Sequence, residues 1–360
     1  LAPALIRIGV TPGEWRIALL IDGVLTEFAL WRPGSPDGFG DIHLGQVTAV
    51  VPALAGAFVA IGGAEGFLPD RGGLTEGQIL TVRVIRAAQG GKGPRLAVLS
   101  SPQPEGKPRL LTRGPSPLDD LAARHADAPI EVDDAHFVPA LRGQFGARVR
   151  PIGCAFAPEL EEAVAALAEA SVALPGGAVL HIEATRALTA IDIDAGTATA
   201  QRTSKSAAQT ALNRSILPEL ARQIRLRNLS GAIVIDLAGM PARRRVALAP
   251  LLADALAADP LKPRLLGFTA LGFAEISRPR QRAPLHEWLA TPLSAGLIAL
   301  RAAAGQPARP LRLRAAPIVI AALEADGQGI ADLARRSVHK IFLRSDPALS
   351  GHHWVLEEIP

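Results

Sequence analysis

The sequence predicts a multi-domain chain of mixed α+β and α/β class: a small barrel of the OB type in the first third, then an α/β unit with a parallel component. Three observations predict it. At 360 residues, 49% of them apolar and 20% charged, the chain is longer than one compact domain needs and can bury a real core. Between Ile42 and Leu99, five short β-like runs (IHLGQVTAVV, GAFVAI, GFLP, ILTVRVIRAA and RLAVL) alternate with turn residues, as in a small barrel. From Ala178 to Arg278, strand-like and helix-like segments take turns, which indicates a sheet with a parallel pair.

Element by element, Leu5 to Leu30 alternates in the manner of paired strands, and Arg32 to Asp41, with two Pro and three Gly, is turn-rich. The barrel runs follow. Ser100 to Pro117 carries five Pro and reads as a linker, and a helical stretch around Leu121 to Ala128 leads into a mixed region ending near Pro175-Gly176-Gly177. AVLHIEA and ALTAIDIDAG form a hairpin. Ser206 to Arg227 places Leu212, Ile216, Leu220 and Ile224 on one helix face, and Pro218 is expected to bend that helix or begin its second half. GAIVIDLAGM is an apolar strand bounded by Gly231 and Gly239. Ala242 to Asp259 reads as a second amphipathic helix, and LLGFTALGFAEISR as one or two further strands. Beyond Pro284 the pattern is less regular, with a small α/β piece over Leu311 to Pro360, and no internal repeat is found.

Composition excludes several classes. A single cysteine, Cys154, rules out a disulfide framework and zinc sites built from several cysteines. No apolar run approaches the roughly 18 to 20 residues that cross a bilayer. The first residues, LAPALIRIGVTPGEWRIALLIDG, contain charges and a Pro-Gly turn unlike a secretory signal, so a soluble, cytoplasmic protein is expected. The net charge is +4, with Arg grouped at Arg222, Arg225 and Arg227, at Arg243 to Arg245, and at Arg278, Arg280 and Arg282. Such grouping suits a phosphate-rich partner and equally suits solvated faces.

Asp192 near the end of ALTAIDIDAG and Asp236 at the end of AIVID stand where α/β sheets place ligands, beyond the carboxyl ends of strands. Two acids on neighbouring strands make an oxygen-rich site of the kind that takes magnesium with several waters retained. Asp194 follows Asp192 by two residues and shares its face if the strand continues; Glu183, on the partner strand, could join them. The alternative is that Asp ends strands because it initiates turns. In the barrel, Phe58 and Phe67 can stack on bases of a single strand, with Lys92 of Gly90-Gly-Lys-Gly93 on a loop beside them. Alternation points Phe58 outward; the run holding Phe67 is too short to choose between core and surface. His352 and His353 read as surface residues, Ser204 and Ser206 lack a triad, Cys154 reads as a small packed residue, and GGKG is not a P-loop.

Together these motifs resemble the ribonuclease E/G family: GQVTAVVPALAGAFVAIGGAEGFLP in the barrel, then PGGAVLHIEATRALTAIDIDAG, ARQIRLRNLSGAIVIDLAGM and GFAEISRPR in the family's order, and more weakly LRSDPAL. The resemblance implies an RNase H-like fold interrupted by an OB-fold RNA-binding barrel, followed by a DNase I-like catalytic subdomain. It divides the chain into residues 1–38 and 125–177 (RNase H-like), 39–100 (barrel), 101–124 (linker), 178–285 (catalytic subdomain) and 286–360 (small C-terminal domain). It further implies that Asp192 and Asp236 bind magnesium, with manganese as the alternative ion, and that Phe58, Phe67 and Lys92 contact RNA. Family members commonly carry Asn, which helps orient the scissile phosphate, where this chain has Asp194; a carboxylate cannot donate a hydrogen bond unless protonated.

Two departures shape the expectation. The family's sensor for 5′-monophosphorylated RNA has no room in the short segment 100–124, so no preference for such ends is expected. The family's Cys-Pro-x-Cys zinc link is absent after Arg282, so no zinc is expected and any homodimer forms without it. The expected activity is magnesium-assisted hydrolysis of single-stranded RNA, leaving 5′-phosphate and 3′-hydroxyl ends. Arg278, Arg280, Arg225 and Arg227 are candidates for phosphate contacts or, equally, salt-bridged structural residues. The rival reading is a catalytically weak or inactive RNA-binding protein of the same family. A small-molecule α/β enzyme needs a cofactor loop that the sequence lacks.

Overall fold

The N-terminal alternation becomes an antiparallel meander of β1 (Ala4–Thr11), β2 (Glu14–Ile21) and β3 (Val24–Trp31), in which Ile6, Ile8, Ile17 and Leu19 face the core. Asp22 and Gly23, at φ of 50° and 77°, make the two-residue turn between β2 and β3, where both central residues must be left-handed. This computed structural model describes residues 3–69, 72–99, 105–195, 205–306, 309–336 and 340–359. It divides into two units, Leu1–Ala157 with His286–Pro360, and Pro158–Leu285.

In the first unit the five runs of the barrel are strands β4 (Ile42–Val51), β5 (Gly56–Ala60), β6 (Glu65–Pro69), β7 (Ile79–Arg86) and β8 (Arg95–Val98). The order β5-β6-β8-β7-β4 closes because β4 also pairs with β5, giving a five-stranded barrel consistent with an OB fold. Long β4 serves both neighbours by bending at a register shift between Val47 and Ala49. Val47, Ala57, Val59, Leu68, Val82 and Leu96 fill the interior. The proline-rich stretch is more than a linker: β9 (Arg109–Thr112) adds to β4, and α1 (Pro117–Arg124) starts at a Ser116–Asp119 capping box, earlier than apolar spacing suggests. β10 (Ile130–Val132) and β11 (Val149–Pro151), flanking α2 (Val138–Phe145), then join the meander in parallel, in the order β11-β10-β1-β2-β3.

The second unit opens with α3 (Pro158–Ala165) and β12 (Ser171–Ala173), then forms the expected hairpin, β13 (Val179–Ala184) and β14 (Leu188–Asp194). α4 (Lys205–Leu226) crosses over to β15 (Gly231–Asp236), which lies parallel to β14. Pro218 does not break α4. Leu217 just before it, and Leu220, Ala221 and Ile224 beyond, are buried against the sheet, and that packing offsets the roughly 3 kcal/mol a mid-helix proline costs. The expected helix over Ala242 to Asp259 is instead α5 (Ala242–Arg245), a 3₁₀ turn (Val246–Leu248) and α6 (Ala249–Ala257). Pro250 sits in the first turn of α6, where a missing N–H is harmless, and so restarts the helix there. β16 (Arg264–Phe268) and β17 (Ala274–Arg278) complete the order β12-β13-β14-β15-β17-β16. Leu180, Ile191, Ile193, Ile233, Ile235 and Ile276 pack one face under α4 and α6; the alternate residues, His181, Glu183, Asp192, Asp194, Asp236 and Glu275, project from the other.

The tail, returning to the first unit, is more regular than its sequence suggests. It holds α7 (Leu285–Leu289), whose first residue belongs to the second unit, then α8 (Pro292–Ala304), β18 (Leu311–Ala315), α9 (Pro317–Asp326), α10 (Gln328–Arg336), β19 (Ile341–Ser345) and β20 (Trp354–Glu358). The three strands pair as β19-β18-β20 and bury Leu311, Leu313 and Ala315 against Leu297, Val319 and Leu323 of the helices.

Candidate functional site

β14 and β15 each end in aspartate, and the parallel register makes Asp192 and Asp236 direct partners. Neighbouring strands lie about 4.8 Å apart, and both residues fall on the face opposite the apolar core, so the two side chains leave adjacent positions of one face. Their row continues through His181 of β13 to Ser171 of β12, whose Oγ lies 2.9 Å from His181 Nδ1. Asp194 is one step further out, opposite Val179 and past the end of β15. Glu183 sits one step back, opposite Ala190, and Glu275 of β17 is opposite Val234. His181 was not singled out in the sequence, although the alternation in AVLHIEA already puts it on the same face as Glu183.

Arg245, noted above only as one of a cluster, completes the site. Its side chain is 11% exposed; Nη1 donates to Asp236 Oδ1 at 2.5 Å and to Gly272 O at 3.1 Å, and Nε donates to Met240 O at 2.7 Å. The guanidinium thus holds one oxygen of Asp236 in a set direction. Among the described residues no three His, Cys, Asp or Glu side chains converge closely enough to hold a metal unaided. Two adjacent carboxylates open to water are, however, the donor set for a hard divalent cation that keeps most of its hydration shell, so the residues present fit magnesium.

The four candidate arginines separate. Arg278, 3% exposed, donates from Nε to Asp259 Oδ2 at 2.7 Å and from Nη1 to Asn228 Oδ1 and Leu229 O; Arg227 is likewise buried and donates to Gln223 Oε1 and to the carbonyls of Ala166, Leu167 and Glu169. Burial draws the Arg227 pKa below the usual arginine value. Of the two roles open to these arginines, the bonds seen here are the structural one: their donors are spent on the interior. Arg225 is half-buried in the last turn of α4. Arg280 is exposed, and its guanidinium packs over Gly231, whose left-handed backbone (φ +85°) favours glycine.

On the barrel, Phe58 and Phe67 are cross-strand partners on the outer face, half-exposed, with ring centroids 5.8 Å apart at 70°. Phe67 therefore belongs to the surface, and its register partner on β8 is exposed Arg95, itself opposite Arg86 of β7. The register row thus runs from the two rings to exposed Arg95, and the sequence pointed only to the rings. Lys92 is exposed beside a turn made by left-handed Gly90 and Gly91. His352 and His353 are exposed as expected. Cys154 is exposed rather than packed, because it lies in a loop past β11 with its thiol against Phe156 O. Ser204 lies outside the described residues, and the Ser206 side chain is not described.

Comparison with known proteins agrees with the resemblance. The profile described as the Ribonuclease E/G family matches residues 151–281. Ribonuclease E of Nostoc sp. is 39% identical over 119 residues, 32% of this chain and 17% of that protein. Ribonuclease G of Haemophilus influenzae is 26% identical over 398 aligned positions, covering 78% of this chain and 80% of that protein. Ribonuclease G of Escherichia coli is 36% identical over 136 residues, 36% of this chain and 27% of that protein. Two of these three alignments therefore span well under two thirds of the relative.

Proposed function

We propose, from the premise that residues 151–281 belong to the ribonuclease E/G family, that this chain is a magnesium-dependent endoribonuclease acting on single-stranded RNA. The observation that carries the reading is the register pairing of Asp192 with Asp236 on an open sheet face. These two carboxylates would hold the ion. Magnesium held there would supply Lewis acidity for the scissile phosphate and for activation of the attacking water, in a hydrolysis that would leave 5′-phosphate and 3′-hydroxyl ends. Arg245 keeps Asp236 oriented with one oxygen occupied and the other available. The Phe58–Phe67–Arg95 row offers stacking surfaces beside a guanidinium, a pairing suited to splayed single-stranded bases and their backbone.

The finer domain reading is part of the proposal. An antiparallel meander joined in parallel by β10 and β11, with the barrel strands between β3 and β10, supports an RNase H-like fold over 1–38 and 125–177 interrupted by a barrel over 39–100. Residues 178–285 are the DNase I-like catalytic subdomain, and 286–360 the small C-terminal domain. Segment 101–124, in which the described residues supply only β9 and α1, replaces a 5′-end sensor. Mono- and triphosphorylated forms of one RNA are then cut at equal rates; a large advantage for the monophosphate refutes this. The protein is proposed to act in the cytoplasm, without zinc, and any homodimer is zinc-independent; stoichiometric zinc in purified protein refutes that part.

The deciding experiment incubates an unstructured RNA oligonucleotide with the protein in magnesium or in EDTA. Cutting that the chelator abolishes supports the enzyme. Tight binding without cutting in magnesium or manganese replaces it with the inactive RNA-binding reading.

A further inference from the structure

Arg245 does more than the packing of α5 requires. Its side chain is almost buried, three of its hydrogen bonds are accounted for by Asp236, Gly272 and Met240, and all three use Nε and Nη1. Among the described residues Nη2 has no hydrogen-bond partner, so two N–H donors of a fixed cation remain available beside the acid pair. The face around it is strongly acidic: Asp192, Asp194, Asp236, Glu183 and Glu275 all project from it. A phosphodiester approaching that face needs a donor of positive charge besides any bound ion. Asp194, on the same face two residues past Asp192, cannot supply one, because an ionised carboxylate only accepts hydrogen bonds.

We propose that Arg245 is the phosphate-binding residue of this site, orienting Asp236 through Nη1 and holding a non-bridging oxygen of the scissile phosphate through Nη2. The role rests on the nuclease reading and deepens it. A guanidinium suits the task because its planar fork can serve a carboxylate and a phosphate at once, which an ammonium cannot do with the same geometry. The bonds to Met240 and Gly272 carbonyls hold it in place before RNA arrives, so little reorganisation is needed on binding.

The test compares wild type, Arg245→Gln, Asp194→Asn and the double variant. Two readouts are taken: the rate of cutting an unstructured RNA at saturation in magnesium, and the salt dependence of binding the same RNA with calcium in place of magnesium. Melting temperature serves as the control for folding. Arg245→Gln is expected to lower the rate on the order of 10²-fold. It is also expected to reduce the slope of log K against log salt by about 0.7, the contribution of one phosphate on a single strand. Asp194→Asn, which restores an N–H donor on the same face, recovers at least tenfold of the lost rate in the double variant, a rescue that a purely structural arginine would not show. A rate within threefold of wild type, an unchanged salt slope, or no rescue by Asp194→Asn overturns the proposal. If wild type binds RNA but cuts none, the nuclease reading falls, and the salt slope alone decides for or against Arg245.

Discussion

Asp192 and Asp236 occupy the same register position on two parallel neighbours, although 44 positions apart in the numbering, with α4 as the crossover between their strands. Both point away from the core that α4 and α6 cover. Replacing either carboxylate by an amide removes one of the two proposed ligands while preserving shape. Asp192→Asn and Asp236→Asn are each expected to lower RNA cleavage by at least 10²-fold and to leave RNA affinity within threefold, measured by gel-based cleavage and by fluorescence anisotropy in calcium. Full magnesium-dependent activity in both variants would remove the acid pair from the mechanism.

Phe58 and Phe67 face each other across β5 and β6 on the outside of the barrel. Phe58→Ala or Phe67→Ala is expected to weaken binding of single-stranded RNA by about 1–3 kcal/mol each, with the rate at saturating RNA unchanged. Titration of a labelled oligonucleotide checks this. Wild-type affinity combined with a lowered melting temperature would mean the rings serve the barrel and not the ligand.

Arg278 and Asp259 form a pair in which both side chains are at most 3% exposed. Removing one partner leaves a buried charge uncompensated, so Arg278→Ala is expected to cost about 3–5 kcal/mol of stability. Exposed Arg280→Ala is expected to change stability by less than about 0.5 kcal/mol. Urea denaturation of both variants measures the contrast, and equal effects would contradict it.

His43 of β4 is buried, its Nε2 3.8 Å from Asp41 Oδ2, while Asp41 also accepts from Arg113 and from the Gly114 N–H. Burial pushes the His43 pKa below its usual value of about 6.5, with a backbone hydrogen bond to Ile61 and then Asp41 opposing the shift and Arg113 reinforcing it. The unfolded chain therefore takes up a proton before the folded one does. Stability contributed by neutral His43 is complete above about pH 6.5 and is lost as pH falls from there through the lowered folded value. His43→Asn is expected to flatten that part of the stability profile, measured as denaturation midpoint against pH; an unchanged profile would assign the acid sensitivity elsewhere.

Much of the fold was legible because local pattern encodes which face of an element is buried. The strand-like runs ALTAIDIDAG and GAIVIDLAGM, the second an apolar stretch bounded by Gly231 and Gly239, located β14 and β15 and the aspartates at their ends. Fourfold spacing from Leu212 to Ile224 located α4. Phe67 was undecidable because its five-residue strand shows too little alternation; pairing with Phe58 on β5 resolves it. The single helix expected over Ala242 to Asp259 failed because apolar spacing continues across Pro250 although the backbone restarts there.

The arginines show where reading along the chain stops. Nothing around Arg278 or Arg227 distinguishes them from exposed Arg280, since each is a charged residue in a basic stretch. Their burial depends on Asp259, Asn228 and the carbonyls of residues 166, 167 and 169. Arg245 is the converse: its carboxylate and carbonyl partners come from β15, the turn after it, and the loop before β17, and only their convergence turns one arginine of three into part of a site. Periodicity is a property of neighbours in sequence, and it suffices to say which face is apolar. A charged group's role depends on what compensates it, and those partners are brought together only when strands and helices pack.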